Sequence, residues 1–233
     1  MHTTTYNRIF LKISWEALSS QDNAINHNTI RAIAQDIKIL TQAGHQVALM
    51  VGAGNIFRWR DEGQGIDPAI AHYAGMLATM VNSLVIQNIF VQEWLPASVF
   101  SAIEMSRFIK PINKITAVAK LEQWEVVICA WWSGNPFCST DLWSVIRALE
   151  FDCDIMIKCT NVDGIYNSDP KINPQAIRYN HITYHDALAQ ELKVMDMSAF
   201  GMAKENNLTS LVCHIRDIAK FINGVEHGTM LTN

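Results

Sequence analysis

The sequence predicts an α/β protein, with a mainly parallel central sheet covered by helices on both faces as a three-layer α/β/α sandwich. Three observations carry this. Short β-prone runs alternate along the chain with longer stretches of helical periodicity. The strand runs are apolar at nearly every position, as in strands buried on both faces. No linker, internal repeat or low-complexity segment divides the 233 residues, so one domain over 1–233 is expected.

Each element has its own signal. Arg8–Ser14 (RIFLKIS) is a first strand that ends in a polar turn. In Asn28–Gly44 the residues Ile30, Ile33, Ala34, Ile37 and Leu40 recur at helical spacing, and Gly44 stands where a C-terminal cap belongs. The run QVALMVGAGN is a continuous apolar strand breaking into a glycine turn, and Ala71–Val91 is a long, largely apolar helix. Glu125–Ala130, Cys153–Cys159 and Thr209–Ile215 are three further buried strands, with helical stretches between them. NSDPKINPQ is the most loop-like segment.

Composition excludes several classes. A formal charge of −4 leaves no basic footprint for nucleic acid. Five cysteines, an odd number without a C-x-x-C pair, read as thiols of a reducing compartment rather than a disulfide framework or zinc site. The amino-terminal residues lack an apolar signal core, and no apolar run reaches the roughly 18 residues of a membrane helix. A cytoplasmic protein with no nucleic-acid or membrane partner is expected.

In open α/β sheets ligands bind beyond the carboxyl ends of strands, so the chemistry is sought in the strand-end turns. Four are polar and rich in small residues: LKISWE, VGAGNIFR, SGNPFCSTD and KCTNVDGIY. There is no P-loop and no G-x-G-x-x-G fingerprint. His181 and His185 have i,i+4 spacing but no third ligand, so no metal site is expected. The methionine-rich KVMDMSAFGM reads as core or subunit interface, with core preferred.

Taken in order, these turns resemble the amino acid kinase family, and within it the uridylate (UMP) kinases of bacteria. The family run GNPFFTTD is nearly reproduced by Gly134–Asp141. LKIS, GNIFR, GMLATMVNSL, SAIEM, VDGIYNSDP, LKVMD and the closing GTMLT also match, so the likeness spans nearly the whole chain. It implies transfer of the γ-phosphoryl group of ATP, with magnesium, to UMP in pyrimidine nucleotide synthesis. It also implies a homohexamer, with an acceptor part at roughly 1–150 and an ATP part at roughly 151–233. Phosphoryl transfer asks for positioning and for positive charge around a dispersed negative transition state. Lys12, Arg58 and Lys158 can supply that charge, and Asp141 can orient magnesium or a lysine, or simply cap its helix. By resemblance Ala53, His72, Ser133, Gly134, Asn135, Pro136, Phe137, Cys138, Ser139 and Thr140 bind UMP. Lys12, Ser14, Trp15, Gly54, Arg58, Thr160, Tyr166 and Asp169 bind ATP.

Some residues depart from the family pattern. His72 stands where relatives carry an aspartate that contacts the nucleoside, and Ala53 replaces the middle glycine of a triplet. Larger is the pattern of tryptophans: Trp15, Trp59, Trp124, Trp131 and Trp132 fall on family glycine positions. Trp94 is a further candidate, and Trp143 a weaker one. Two readings remain. Either the cleft of a pseudokinase, now a binding or scaffold protein, is plugged by aromatic rings, or the source lineage decodes UGA as glycine and these residues are glycines in an intact enzyme. Independent substitution would not select the same residue each time, which favours the second. Another family member acting on a carboxylate or carbamate is the alternative within enzymes, and GNPFCSTD argues against it.

Overall fold

The computed structural model describes residues 6–19, 23–58, 65–130, 134–170, 172–192, 194–223 and 227–233. Strands β1 (Arg8–Ile13), β2 (Gln46–Val51), β3 (Ala97–Ser101), β4 (Lys110–Pro111), β5 (Val126–Ala130), β6 (Ile155–Thr160), β7 (His181–Thr183), β8 (Thr209–His214) and β9 (Thr229–Thr232) form one sheet. Its order is β4-β3-β5-β2-β1-β6-β8-β9-β7. All pairings are parallel except β8 with β9. The helices are α1 (His27–Gln42), α2 (Pro68–Gln92), α3 (Lys114–Glu122), α4 (Thr140–Glu150), α5 (Tyr184–Ala189) and α6 (Met197–Glu205), with 3-10 turns at Trp15–Ala17 and Ile215–Asn223.

Topology distributes the layers. The crossovers β1-α1-β2 and β2-α2-β3 run one way along the sheet, while β5-α4-β6 and the connection to β8 run the other. Right-handed crossovers in opposite directions lay their helices on opposite faces. Accordingly α1 packs on α2 and on the Ile215–Asn223 turn, and α4 and α5 pack on α6. Between the layers Phe10, Leu11, Leu49, Ile128 and Ile157 are essentially removed from water. The direction of strand addition reverses between β1 and β6, which opens a crevice at their carboxyl ends.

The helix ends follow one grammar. Among the described residues every α-helix begins with Asn, Asp, Ser or Thr, whose side-chain oxygen accepts a first-turn N–H: Asn26, Asp67, Asn113, Ser139, Thr183 and Asp196. Every one ends in a Schellman pair of backbone bonds around a residue of positive φ. Gly44, at φ 94°, closes α1 as its position in the sequence indicates.

The sequence-predicted strands and helices are present with ends shifted by a few residues. The small strands β3, β4, β7 and β9 were not anticipated, because they carry too few residues to show a period, whereas α5 and α6 fall in the helical stretch expected before Thr209. One expectation is corrected. Residues 68–92 of α2 are long and apolar enough to span a membrane by length and composition, although no such run was expected. More than half of the most apolar window is buried inside the protein, where α2 packs against α1 and β3, so it is a core helix.

Candidate active site

Parallel pairing of β1 with β6 sets Lys12 directly beside Lys158, each 7% exposed, at the reversal of strand order. Between them projects Asp141, from the first turn of α4. Its Oδ1 lies 2.9 Å from Lys12 Nζ, and its Oδ2 accepts a 2.5 Å hydrogen bond from Lys158 Nζ. Lys158 also donates to the Val194 carbonyl, and Lys12 Nζ is 3.4 Å from Ser14 Oγ. Capping of α4 falls to Ser139, which frees Asp141 to hold the two lysines.

One carboxylate faces two ammonium groups, and the electrostatics follow. Burial alone would raise the Asp141 carboxyl, but Lys12 and Lys158 outweigh it and hold it down at about 2. One positive charge remains in excess. Burial, reinforced by Lys12 against the pull of Asp141, pushes Lys158 down to about 8. The cluster is ready to meet an anion that would supply the missing negative charge.

Two cavities meet at this cluster. One, of about 550 Å³, is lined by Gly52, Ala53, Gly54, Phe57, Arg58, His72, Gly75, Leu142, Ser198 and Phe137–Thr140. The other, of about 790 Å³, is lined by Ser14, Asp141, Lys158, Thr160 and Val162 and by residues from Ala187 to Phe200. Lys12, Trp15, Ser139 and Asp196 border both. A third cavity, of about 440 Å³, shares Val162, Glu191, Leu192 and Val194 with the second and extends it past Tyr166 and Asp169.

The residues singled out in the sequence therefore gather on one sheet edge. Gly134, Asn135 and Pro136 lie in the same turn but do not line the first cavity, and Ser133, Trp59, Trp131 and Trp132 lie outside the described residues. His72 is buried on α2 with its ring centroid 5.2 Å from that of Phe137, and burial lowers its pKa. Ala53 does not have positive φ, so that position needs no glycine. His181 on β7 and His185 on α5 do not form one helical face; His181 Nε2 instead lies 2.8 Å from Thr232 Oγ1.

Two supporting residues escaped sequence reasoning. Asn82, fully buried on α2, donates to the Gly52 carbonyl at 2.9 Å and exchanges hydrogen bonds with Asn55, tying the glycine turn to the helix. Asp196 accepts from the Ser139 hydroxyl through Oδ2 and from the Ala199 N–H, at 2.9 Å, through Oδ1. It thereby locks the starts of α4 and α6 together. Their signals were present, since both lie in matched runs, GMLATMVNSL and LKVMD.

Residues 7–215 match the model of the amino acid kinase family. The chain is 43% identical over 223 residues to a uridylate kinase of Rickettsia bellii, covering 93% of each chain. It is 42% identical over 224 residues to one of Rickettsia canadensis, covering 95% of this chain and 92% of the relative. Among solved structures it is similar to the UMP kinase of Bacillus anthracis, with a TM-score of 0.91 and 32% identity over 97% of this chain and 96% of that one. The UMP kinase of Ureaplasma parvum superposes with a TM-score of 0.90 at 32% identity, covering 99% of this chain and 100% of the other.

Proposed function

The chain belongs to the amino acid kinase family, and from that premise we propose that it is a uridylate kinase, which transfers the γ-phosphoryl group of ATP to UMP and so serves pyrimidine nucleotide synthesis. The observation that carries this reading is the Lys12–Asp141–Lys158 cluster at the meeting of two cavities, with the GNPFCSTD turn bordering the first. An oxygen of the UMP phosphate attacks the γ-phosphorus, the bond from γ-phosphorus to the β–γ bridging oxygen breaks, and UDP and ADP result. Lys12 and Lys158 stabilise the negative charge that spreads over the transferring group, and Arg58 on the acceptor wall adds to it. No general base is needed, because a phosphate monoester is already largely dianionic at neutral pH. Asp141 is held ionised by its two partners and serves to position them.

In this reading magnesium travels with ATP. Among the described residues no three His, Cys, Asp or Glu gather, and Asp141 is already engaged by two ammonium groups. These side chains do not form a resident magnesium cage; magnesium would enter with ATP and would offset part of the phosphate charge that Lys12 and Lys158 face. The first cavity belongs to UMP and the second, with its extension, to ATP. In this reading the acceptor part is roughly 1–150 and the ATP part roughly 151–233, with Asp196 and Ser198 reaching back to the first cavity and Ser14 and Asp141 bordering the second.

A cytoplasmic homohexamer completes the proposal. Ile70, Tyr73, Leu77 and Val81 lie exposed at helical spacing along α2, an apolar stripe suited to a second copy. Leu77→Glu should lower the assembled mass in light scattering; an unchanged mass would remove the stripe from the interface.

The substrate assignment is tested by ADP release with UMP, CMP, AMP and glutamate-like acids. The full chain is used both as written and with Trp15→Gly, Trp59→Gly, Trp131→Gly and Trp132→Gly. UMP should lead clearly; turnover of CMP at the same rate would show that His72 has relaxed the site.

A further inference from the structure

Two tryptophans stand on backbone that favours glycine. At the end of α2, Trp94 has φ 60°; its N–H donates to Val91 O at 3.1 Å, and that of Leu95 to Phe90 O at 2.9 Å. At the end of α3, Trp124 has φ 62°; its N–H donates to Leu121 O at 2.9 Å, and that of Glu125 to Lys120 O at 3.0 Å. Both are the left-handed residue of a Schellman motif, a position that usually holds glycine. This chain provides its own comparison. In α1 the same position holds Gly44, bonded in the same way to Thr41 and with His45 bonded to Leu40. Asp152 and Asn207 hold it after α4 and α6, short polar residues that tolerate this conformation, and Glu191 holds it after α5.

Burial offsets little of this: Trp94 lies almost wholly in solvent, 86% exposed, and Trp124 is only half buried, 49% exposed, whereas tryptophan is on average a highly buried residue. Trp143 provides the contrast: it lies within α4, packs against the core, and has the Arg147 guanidinium 5.4 Å from its ring centroid. No positive φ marks it.

Trp15 is misplaced for a different reason. Its φ is not positive, but its ring packs on the glycine turn so closely that a Cβ at Gly54 would lie 2.7 Å from its Nε1. The Arg58 guanidinium stacks 5.1 Å from the ring centroid. Trp15 borders both cavities, so its ring takes up space at their junction.

We infer that positions 15, 94 and 124 are glycine in the protein as its source organism makes it, encoded by UGA codons read there as glycine. The consequence at position 15 rests on the kinase reading: glycine would open the junction of the two cavities and uncover the backbone of Gly52 and Gly54 to phosphate.

The codons and the matching peptides of the native protein decide the assignment. UGA codons with peptides carrying glycine are expected at all three positions, and UGG at 94 or 124 would overturn the inference. On the recombinant full chain, Trp94→Gly and Trp124→Gly should each raise Tm by about 2–4 °C, since each removes a strained left-handed residue from a chain of this size. A fall or no change at both would refute the backbone argument. Trp15→Gly should tighten ATP binding by about tenfold or more in calorimetry; equal affinity would overturn the inference at that position. If the codons are UGA and ATP binding tightens while the full chain carrying Trp15→Gly, Trp59→Gly, Trp131→Gly and Trp132→Gly does not phosphorylate UMP, it is the kinase reading that fails.

Discussion

At the scale of single residues, Asp141 concentrates the electrostatics of the cleft. Asp141→Asn would leave two ammonium groups buried face to face, and removal of one partner from a buried ion pair costs about 3–5 kcal/mol. Urea unfolding should report a loss of that order, larger than for substitution of a surface pair such as Lys114–Asp152. The protonation of Lys158 should also be visible in kinetics. Its pKa is about 8 in the free protein, so kcat/KM should decline as pH rises through that value and the positive charge is lost. Bound phosphates add negative charge beside it and raise the pKa, so the matching limb of the kcat profile should lie at higher pH. Coincident limbs would show that Lys158 does not face the phosphates.

At the scale of elements, the caps do more than end helices. Ser139 accepts the Leu142 N–H at 3.0 Å and donates to Asp196, so it fixes the helix that carries Asp141. Ser139→Ala should destabilise the fold by about 0.5–2 kcal/mol as a lost N-cap and should lower kcat as well, because Asp141 lies in the first turn that Ser139 caps. Asn113 caps α3 with a 2.9 Å bond from the Thr116 N–H and lines neither main cavity. Asn113→Ala should lower stability by a similar amount with kcat unchanged. Equal kinetic effects would reduce Ser139 to a purely structural role.

At the scale of the whole molecule, two carboxylates tune stability in opposite directions with pH. The Asp141 pKa is depressed when folded, so its contribution is present above the ordinary carboxylate range and is lost as pH falls toward 2. Asp36 on α1 behaves in the reverse way. Burial, and then Asp217 nearby, raises it from 3.8 to about 6. The folded state therefore holds this proton more tightly than the unfolded chain, and that stability is lost as pH rises through the window. Asp36→Asn should flatten the fall between about pH 4 and pH 6, read as the difference between urea midpoints at the two ends. An unaltered slope would show that Asp36 titrates as an ordinary surface acid.

The sequence by itself determined the alternation of buried strands and amphipathic helices, because period and composition are local properties that survive in one dimension. It also determined the matched turns, including the residues that gather at the crevice, since each is a contiguous run. Small strands such as β4 were not legible, as two residues carry no period. Only the tertiary structure decided that Lys12 and Lys158 are neighbours. Their adjacency depends on β6 returning to pair with β1, a choice made by packing across a chain separation that no local pattern encodes. The same holds for Asp141, whose position in the sequence suits a helix cap as well as an ion pair. Its role was settled when Ser139 took the cap and two strand ends brought their ammonium groups to its carboxylate. The conformation at Trp94 and Trp124 was likewise invisible until the helices closed, because a left-handed φ belongs to the folded backbone and not to the residue written there.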